Sequence, residues 1–225
     1  MATEPWVAPK NAPLASLIDH TLLLPQAVET DILRLCKEAV VHKFPVVCVA
    51  PYWVPTAVEA CSDAGIRVAA VVGFPLGIAT GLIKAVEATD CVARGAREID
   101  MVIQVGALRS GHYQAVFSEL LSVTNAVGSR ALIKVIIETA YFTEEQIVSA
   151  CLLCKWAGTD YVKTSTGFGP AGASVAHVAL MRTAVGEKMG VKAAGGVKDA
   201  KTVKAMVAGG ASRIGTSRGP QIVAG

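Results

Sequence analysis

No apolar run in the chain approaches the ~18 residues that a helical bilayer span requires, although 52% of its 225 residues are apolar and only 17% are charged. A membrane protein of the helical type is excluded. Asn-Gly and Asp-Gly, the dipeptides that close the tightest hairpins, do not occur, so an antiparallel meander is not expected. An excess of one charge is lacking too. Basic residues number 21 against 18 acidic ones, and they are scattered rather than interleaved with aromatics; neither nucleic acid nor a membrane surface is expected as a partner. The start, Met1-Ala2-Thr3-Glu4-Pro5-Trp6, has no basic n-region and no apolar h-region, and a cytoplasmic location is expected.

Six cysteines are too few for a disulfide scaffold of this length. Cys36, Cys48, Cys61 and Cys91 show no metal-ligand spacing. Cys151-Leu152-Leu153-Cys154 is a CxxC, but it continues the apolar stripe of Ile147 and Ala150 in a helix opened by the capping box Thr143-Glu144-Glu145-Gln146. A redox CxxC should open a helix after a strand, so this pair reads as packing. Of the four histidines, His42 and His112 fall at helix ends or on the surface, His177 falls on a helix, and only His20 is expected near a site. No metal and no organic cofactor is predicted.

What is present is a rhythm. Short apolar or β-branched runs occur at Leu17-Ile18, Val46–Val49, Val68–Val72, Ile99–Ile103, Leu132–Ile137, Tyr161-Val162, Val191 and Arg213-Ile214. Helical patterns fill the gaps: Thr30 is a candidate cap for the first, Pro55 suits the first turn of the second and Gly65 its end, and Ser174 and Asp199 are caps for later ones. Strands that are short and apolar on both faces belong to a parallel sheet covered by helices. The fold predicted is α/β, a (β/α)8 TIM barrel forming one domain over residues 1–225. Its last helix should be short or missing, because only Arg218 to Gly225 follow the eighth strand.

In such a barrel, chemistry sits at the carboxyl ends of the strands. Lys163 lies there in Tyr161-Val162-Lys163-Thr164-Ser165-Thr166-Gly167, and Lys192 in Val191-Lys192-Ala193-Ala194-Gly195-Gly196. Two converging ammonium groups each disfavour the other's charge and lower its pKa. An amine so treated is a nucleophile for a carbonyl. Asp100, inside the apolar strand Ile99–Ile103, must be paired or functional; beside two lysines it can be partner and proton shuttle. Asp19, at the end of the first strand, has either a structural ion pair or a direct part at the substrate. Lys134 and Glu138 on the fifth strand read as an interior salt-bridge network.

Gly167-Phe168-Gly169-Pro170-Ala171-Gly172 fits GxGxxG. A dinucleotide site would also need an acidic residue after the following strand, whereas Glu187 precedes Val191, and Pro170 removes one N–H from the loop. These glycines, with Gly195-Gly196 and Gly215-Thr216-Ser217-Arg218-Gly219, read instead as backbone donors to a single phosphate, helped by hydroxyls such as Thr166 and by the Arg218 guanidinium.

The segments Ile18-Asp19-His20-Thr21, Val72-Gly73-Phe74-Pro75-Leu76-Gly77, Glu98–Ile103, Lys134–Thr139, Val162–Gly167, Lys192–Gly196 and Arg213–Ser217 resemble, in order, those of the deoxyribose-phosphate aldolases, a class I family. The resemblance implies that Lys163 forms the Schiff base, Lys192 lowers its pKa and Asp100 relays protons through water. It assigns the phosphate to Gly167, Gly195, Gly196 and Ser217. The reaction it implies is reversible cleavage of 2-deoxy-D-ribose 5-phosphate to D-glyceraldehyde 3-phosphate and acetaldehyde, by a homodimer or higher homo-oligomer. The chain departs from the family in having Gln104 where Asn is usual, Arg218 where a small hydroxyl residue is usual, and no tail ending in tyrosine. Rival readings are another Schiff-base barrel such as a transaldolase, an isomerase working through Asp19 and Asp100, and a non-catalytic barrel that binds phosphorylated metabolites.

Overall fold

In a computed structural model that describes residues 12–225, eight parallel strands close into a barrel in sequence order. They are β1 (Ile18–Leu22), β2 (Val46–Val49), β3 (Arg67–Val72), β4 (Glu98–Val102), β5 (Leu132–Ile136), β6 (Tyr161–Lys163), β7 (Gly190–Ala194) and β8 (Arg213–Thr216). Closure leaves no strand edge unpaired. Around them run α1 (Glu29–His42), α2 (Val54–Cys61), α3 (Gly81–Ala93), α4 (Val105–Arg109), α5 (Tyr113–Val127), α6 (Glu144–Trp156), α7 (Val175–Val185), α8 (Ala200–Ala208) and α9 (Gly219–Ala224). The amino-terminal segment used above to argue location lies outside the described residues. No described helix is long and apolar enough to cross a membrane.

Alternation along each strand gives the barrel two surfaces. Outward residues such as Ile18, Val47, Val49, Ile99, Val162 and Ile214 join one large core with the helices. The inward surface is divided. On its β2–β3 side Val46, Cys48, Ala69 and Val71 form a separate apolar cluster, while the other strands turn Asp19, Glu98, Asp100, Lys134, Lys163, Lys192 and Arg213 toward one another. The ionic half of the lumen is where the candidate chemistry lies.

Local signals act as expected at most helix starts. The Thr143, Ser174 and Asp199 side chains accept from backbone N–H groups three residues on. Thr30 is not a cap: α1 begins at Glu29, one residue earlier, and the Val28 N–H donates to the Asp31 carboxylate at 3.1 Å. An acid at the third helical position thus satisfies the N–H of the residue that precedes the helix, the reciprocal half of a capping box. The last helix, short as expected, is present. It starts at Gly219, where an added Cβ would stand 2.7 Å from the Phe44 ring, so only glycine lets the chain pass there. Cys151 and Cys154 are buried in α6 and unlinked.

Candidate active site

Register places Lys163 directly beside Lys192 across β6–β7, and Asp100 beside Lys134 across β4–β5. Asp100 is the hub. Its Oδ2 lies 2.8 Å from Lys163 Nζ and 2.8 Å from Lys192 Nζ, while its Oδ1 accepts from Lys134 Nζ at 2.6 Å. Beneath them Asp19 binds Lys192 and accepts from Arg213 Nη1 at 2.7 Å, and Glu98 pairs with Lys134 and Arg67. Among buried groups, three carboxylates, Asp19, Glu98 and Asp100, therefore face four cations, Lys134, Lys163, Lys192 and Arg213, while Arg67 reaches Glu98 with its charge partly in water. A desolvated interior tolerates unbalanced charge poorly. The balance closes if one cation sheds its proton.

Lys163 is the cation so disposed. Burial pushes its pKa below the ordinary lysine value and the neighbouring Lys192 adds to that, against the opposing pull of Asp100. The same burial acts on Lys192 and Lys134, but Lys192 has Asp100 and Asp19 beside it and Lys134 has Asp100, Glu98 and Asp19, so both end above the ordinary value. The expected mutual depression of the two strand-end lysines is therefore one-sided: Asp100 stands 2.8 Å from both, and Asp19 is a second carboxylate that only Lys192 of the two engages. Burial alone would raise the Asp100 carboxyl, yet Lys134, Lys163 and Lys192 hold it well below its usual range. It stays an acceptor at neutral pH.

Above Lys163 opens a cavity of about 250 Å³. Thr166, Gly167, Gly195, Gly196, Ser217 and Arg218 all line it, together with Lys163; Lys192 and Asp100 lie under its floor, fully buried. Gly195 and Gly196 have φ of 86° and 76°, and Gly167 has 87°, backbone that favours glycine. The third glycine of the GxGxxG run, Gly172, has a packing reason: a Cβ there would fall 2.1 Å from the Gly195 carbonyl oxygen. The run packs the loop after β6 against the loop after β7 rather than opening a helix, since α7 begins only at Val175.

Three expected positions differ. Asp19 is the second residue of β1 rather than its last, so it lies deep in the lumen with its oxygens held by Lys192 and Arg213; it does not line the cavity and cannot touch a substrate there. His20 follows it on the opposite surface, where it bonds Glu38 at 2.7 Å and packs against Phe44. Glu138 has no part in the salt-bridge network that Lys134 does join, because it stands past the end of β5 and bonds Thr166 instead. Residues not foreseen are Arg213 and Glu98 in the network and Thr21, Phe168 and Lys198 at the cavity. For Lys198 a signal existed, a cation two residues beyond Gly195-Gly196.

A parallel barrel with a desolvated amine at the floor of its mouth is a (β/α)8-barrel enzyme built for carbonyl chemistry. Residues 14–222 match the DeoC/LacD family aldolase description, and the chain belongs to that family of aldolases. It is 52% identical over 208 residues to a deoxyribose-phosphate aldolase of Brevibacillus brevis, covering 92% of this chain and 94% of that one. An Enterococcus faecalis protein of the same name is 49% identical, with 94% and 96% covered. Among solved structures, the tetrameric deoxyribose phosphate aldolase of Aeropyrum pernix superposes with a TM-score of 0.87 at 32% identity, over 94% of this chain and 89% of that one.

Proposed function

We propose that the chain cleaves 2-deoxy-D-ribose 5-phosphate reversibly to D-glyceraldehyde 3-phosphate and acetaldehyde, with Lys163 as the nucleophile. The neutral Lys163 amine adds to C1 of the open-chain aldehyde, and loss of water from the carbinolamine leaves a protonated imine. Removal of the C3 hydroxyl proton lets the C2–C3 bond break. Its electron pair flows into the imine, which becomes an enamine as glyceraldehyde 3-phosphate leaves. Protonation at C2 and hydrolysis then release acetaldehyde and restore the amine. The imine is itself the electron sink, so the reaction as written takes no metal or organic cofactor. Asp100, bonded to both lysines, is assigned the proton relay, and Lys192 the role of the cation that keeps Lys163 neutral. The ester's phosphate is assigned to the Gly167, Gly195-Gly196 and Ser217-Arg218 turns. Asp19 holds Lys192 and does not meet substrate.

The observation that carries this reading is the position of Lys163 itself: 3% exposed, at the cavity floor, and depressed in pKa while its neighbours are raised. Acetaldehyde with borohydride should reduce the imine in place, and peptide mass mapping should find the added two-carbon unit on Lys163. Preferential labelling of Lys192 would overturn the assignment. We also infer a homo-oligomer, supported by the tetrameric relative, and a cytoplasmic enzyme, since its proposed substrates are sugar phosphates; light scattering should return a multiple of 23.3 kDa.

A further inference from the structure

Glu138 combines two unfavourable circumstances. Its backbone lies in the left-handed region, φ 61° and ψ 61°, which a residue with a Cβ rarely adopts unless its surroundings hold it there. Its carboxylate is buried and has no ion pair among the described residues, with Oε1 lacking any hydrogen-bond partner. Sites that retain both features do so for a positional reason.

The bonds that Glu138 does make define the reason. Oε2 accepts from the backbone N–H of Thr166 at 3.1 Å and from its hydroxyl. The same Thr166 oxygen accepts from the Phe168 N–H at 3.0 Å. Thr166, Gly167 and Phe168 are consecutive lining residues of the cavity, so the carboxylate fixes the turn on both sides of Gly167. Gly169 rests on it as well: an added Cβ there would come within 2.9 Å of Glu138 Cδ. The first part of the β6–α7 loop, Thr166 to Gly169, rests on this side chain.

We propose that Glu138 is a positioning residue that sets the β6–α7 loop for the phosphorylated end of the substrate. The inference rests on the aldolase reading above. Glu138 acts through Thr166 and stays out of contact with the reacting carbon, so binding of the ester should suffer while chemistry at Lys163 persists.

The test compares Glu138→Ala and Glu138→Gln with the unaltered protein on 2-deoxyribose 5-phosphate and on unphosphorylated 2-deoxyribose. Glu138→Ala should raise the KM for the ester about tenfold, leaving its kcat within about threefold and activity on the unphosphorylated sugar within about twofold. Glu138→Gln, whose amide oxygen can occupy the Oε2 position, should restore the KM to within about threefold. If Glu138→Ala does not fold, Glu138→Asn suits the left-handed backbone but is one methylene too short to hold Thr166, and it should raise the KM for the ester with the same selectivity. Equal losses on both sugars, a fall in kcat at unchanged KM, or a Gln variant as impaired as the Ala or Asn one would overturn the proposal. An unaltered protein that fails to label at Lys163 with acetaldehyde and borohydride overturns the aldolase reading instead.

Discussion

Lys163 and Lys192 meet at a single oxygen: each side-chain nitrogen lies 2.8 Å from Oδ2 of Asp100. Standing at equal distance from both, that oxygen does not by itself distinguish the two amines. Asp19 adds its charge on the Lys192 side, so the Lys192 pKa is raised while burial leaves that of Lys163 lowered.

Replacing Lys192 by Leu removes a positive neighbour and leaves Asp100 Oδ2 to Lys163 alone. Both changes favour the Lys163 ammonium, so its pKa should rise. The acid limb of the pH profile of kcat/KM should then move to higher pH. An unshifted limb in a folded, active Lys192→Leu enzyme would show that Lys192 does something else.

Asp100→Leu should lower kcat by about 10²-fold if the carboxylate relays protons. The sign of its other effect separates two explanations. Asp100 opposes deprotonation of Lys163, so its removal should leave that amine more neutral, not less. A loss of turnover with acetaldehyde labelling of Lys163 retained therefore assigns the relay; wild-type turnover reduces Asp100 to a structural ion partner.

The barrel was legible because a parallel sheet covered by helices imposes its apolar β-branched runs and their spacing on the chain, and each of the eight strands overlaps a run visible in the sequence, β1 by Ile18 alone. Lys163, Lys192 and Asp100 were legible as polar exceptions to those runs. The depth of a residue along a strand was harder to read: Asp19 was placed at the mouth because β1 was expected to start one residue earlier and end sooner, and each residue moves a side chain roughly 3.3 Å along the lumen and to the other surface. The same arithmetic sent His20 outward. Pairing partners of Glu138 could not be read at all, since its bond to Thr166 joins two loops 28 residues apart.

Acid should expose the Asp19 ion pairs. Burial alone would raise its pKa, but Lys192, Arg213 and Lys134 together depress it far below the ordinary carboxylate value. A depressed folded-state pKa contributes stability that is fully present above the unfolded value, about 3.9, and is lost as pH falls toward the folded one. The stability difference between the unaltered protein and Asp19→Asn, measured by urea unfolding, should be constant between pH 7 and 5 and shrink below about pH 4. A difference that stays level down to pH 3 would mean that Asp19 titrates no differently in the fold.

Arg218 is the departure from the family pattern that lies at the cavity itself. It lines the opening, and its backbone N–H donates to Thr216 Oγ1 at 3.0 Å, which fixes its Cα at the start of α9 while leaving the exposed guanidinium free to swing. A guanidinium can meet a phosphate with two parallel charge-assisted bonds. Because this one is open to water, the gain expected is nearer that of one modest bond, about 1.4 kcal/mol or tenfold in affinity. Arg218→Ser should therefore raise the KM for 2-deoxyribose 5-phosphate about tenfold and leave activity on unphosphorylated 2-deoxyribose within about twofold. The expected dependence on salt has the same origin: added salt should raise the KM of the unaltered enzyme for the ester more steeply than that of the variant, since an exposed ion pair is screened. Equal weakening toward both sugars would place Arg218 outside the phosphate site, and a lower KM for the ester in the variant would show that its side chain obstructs the entrance.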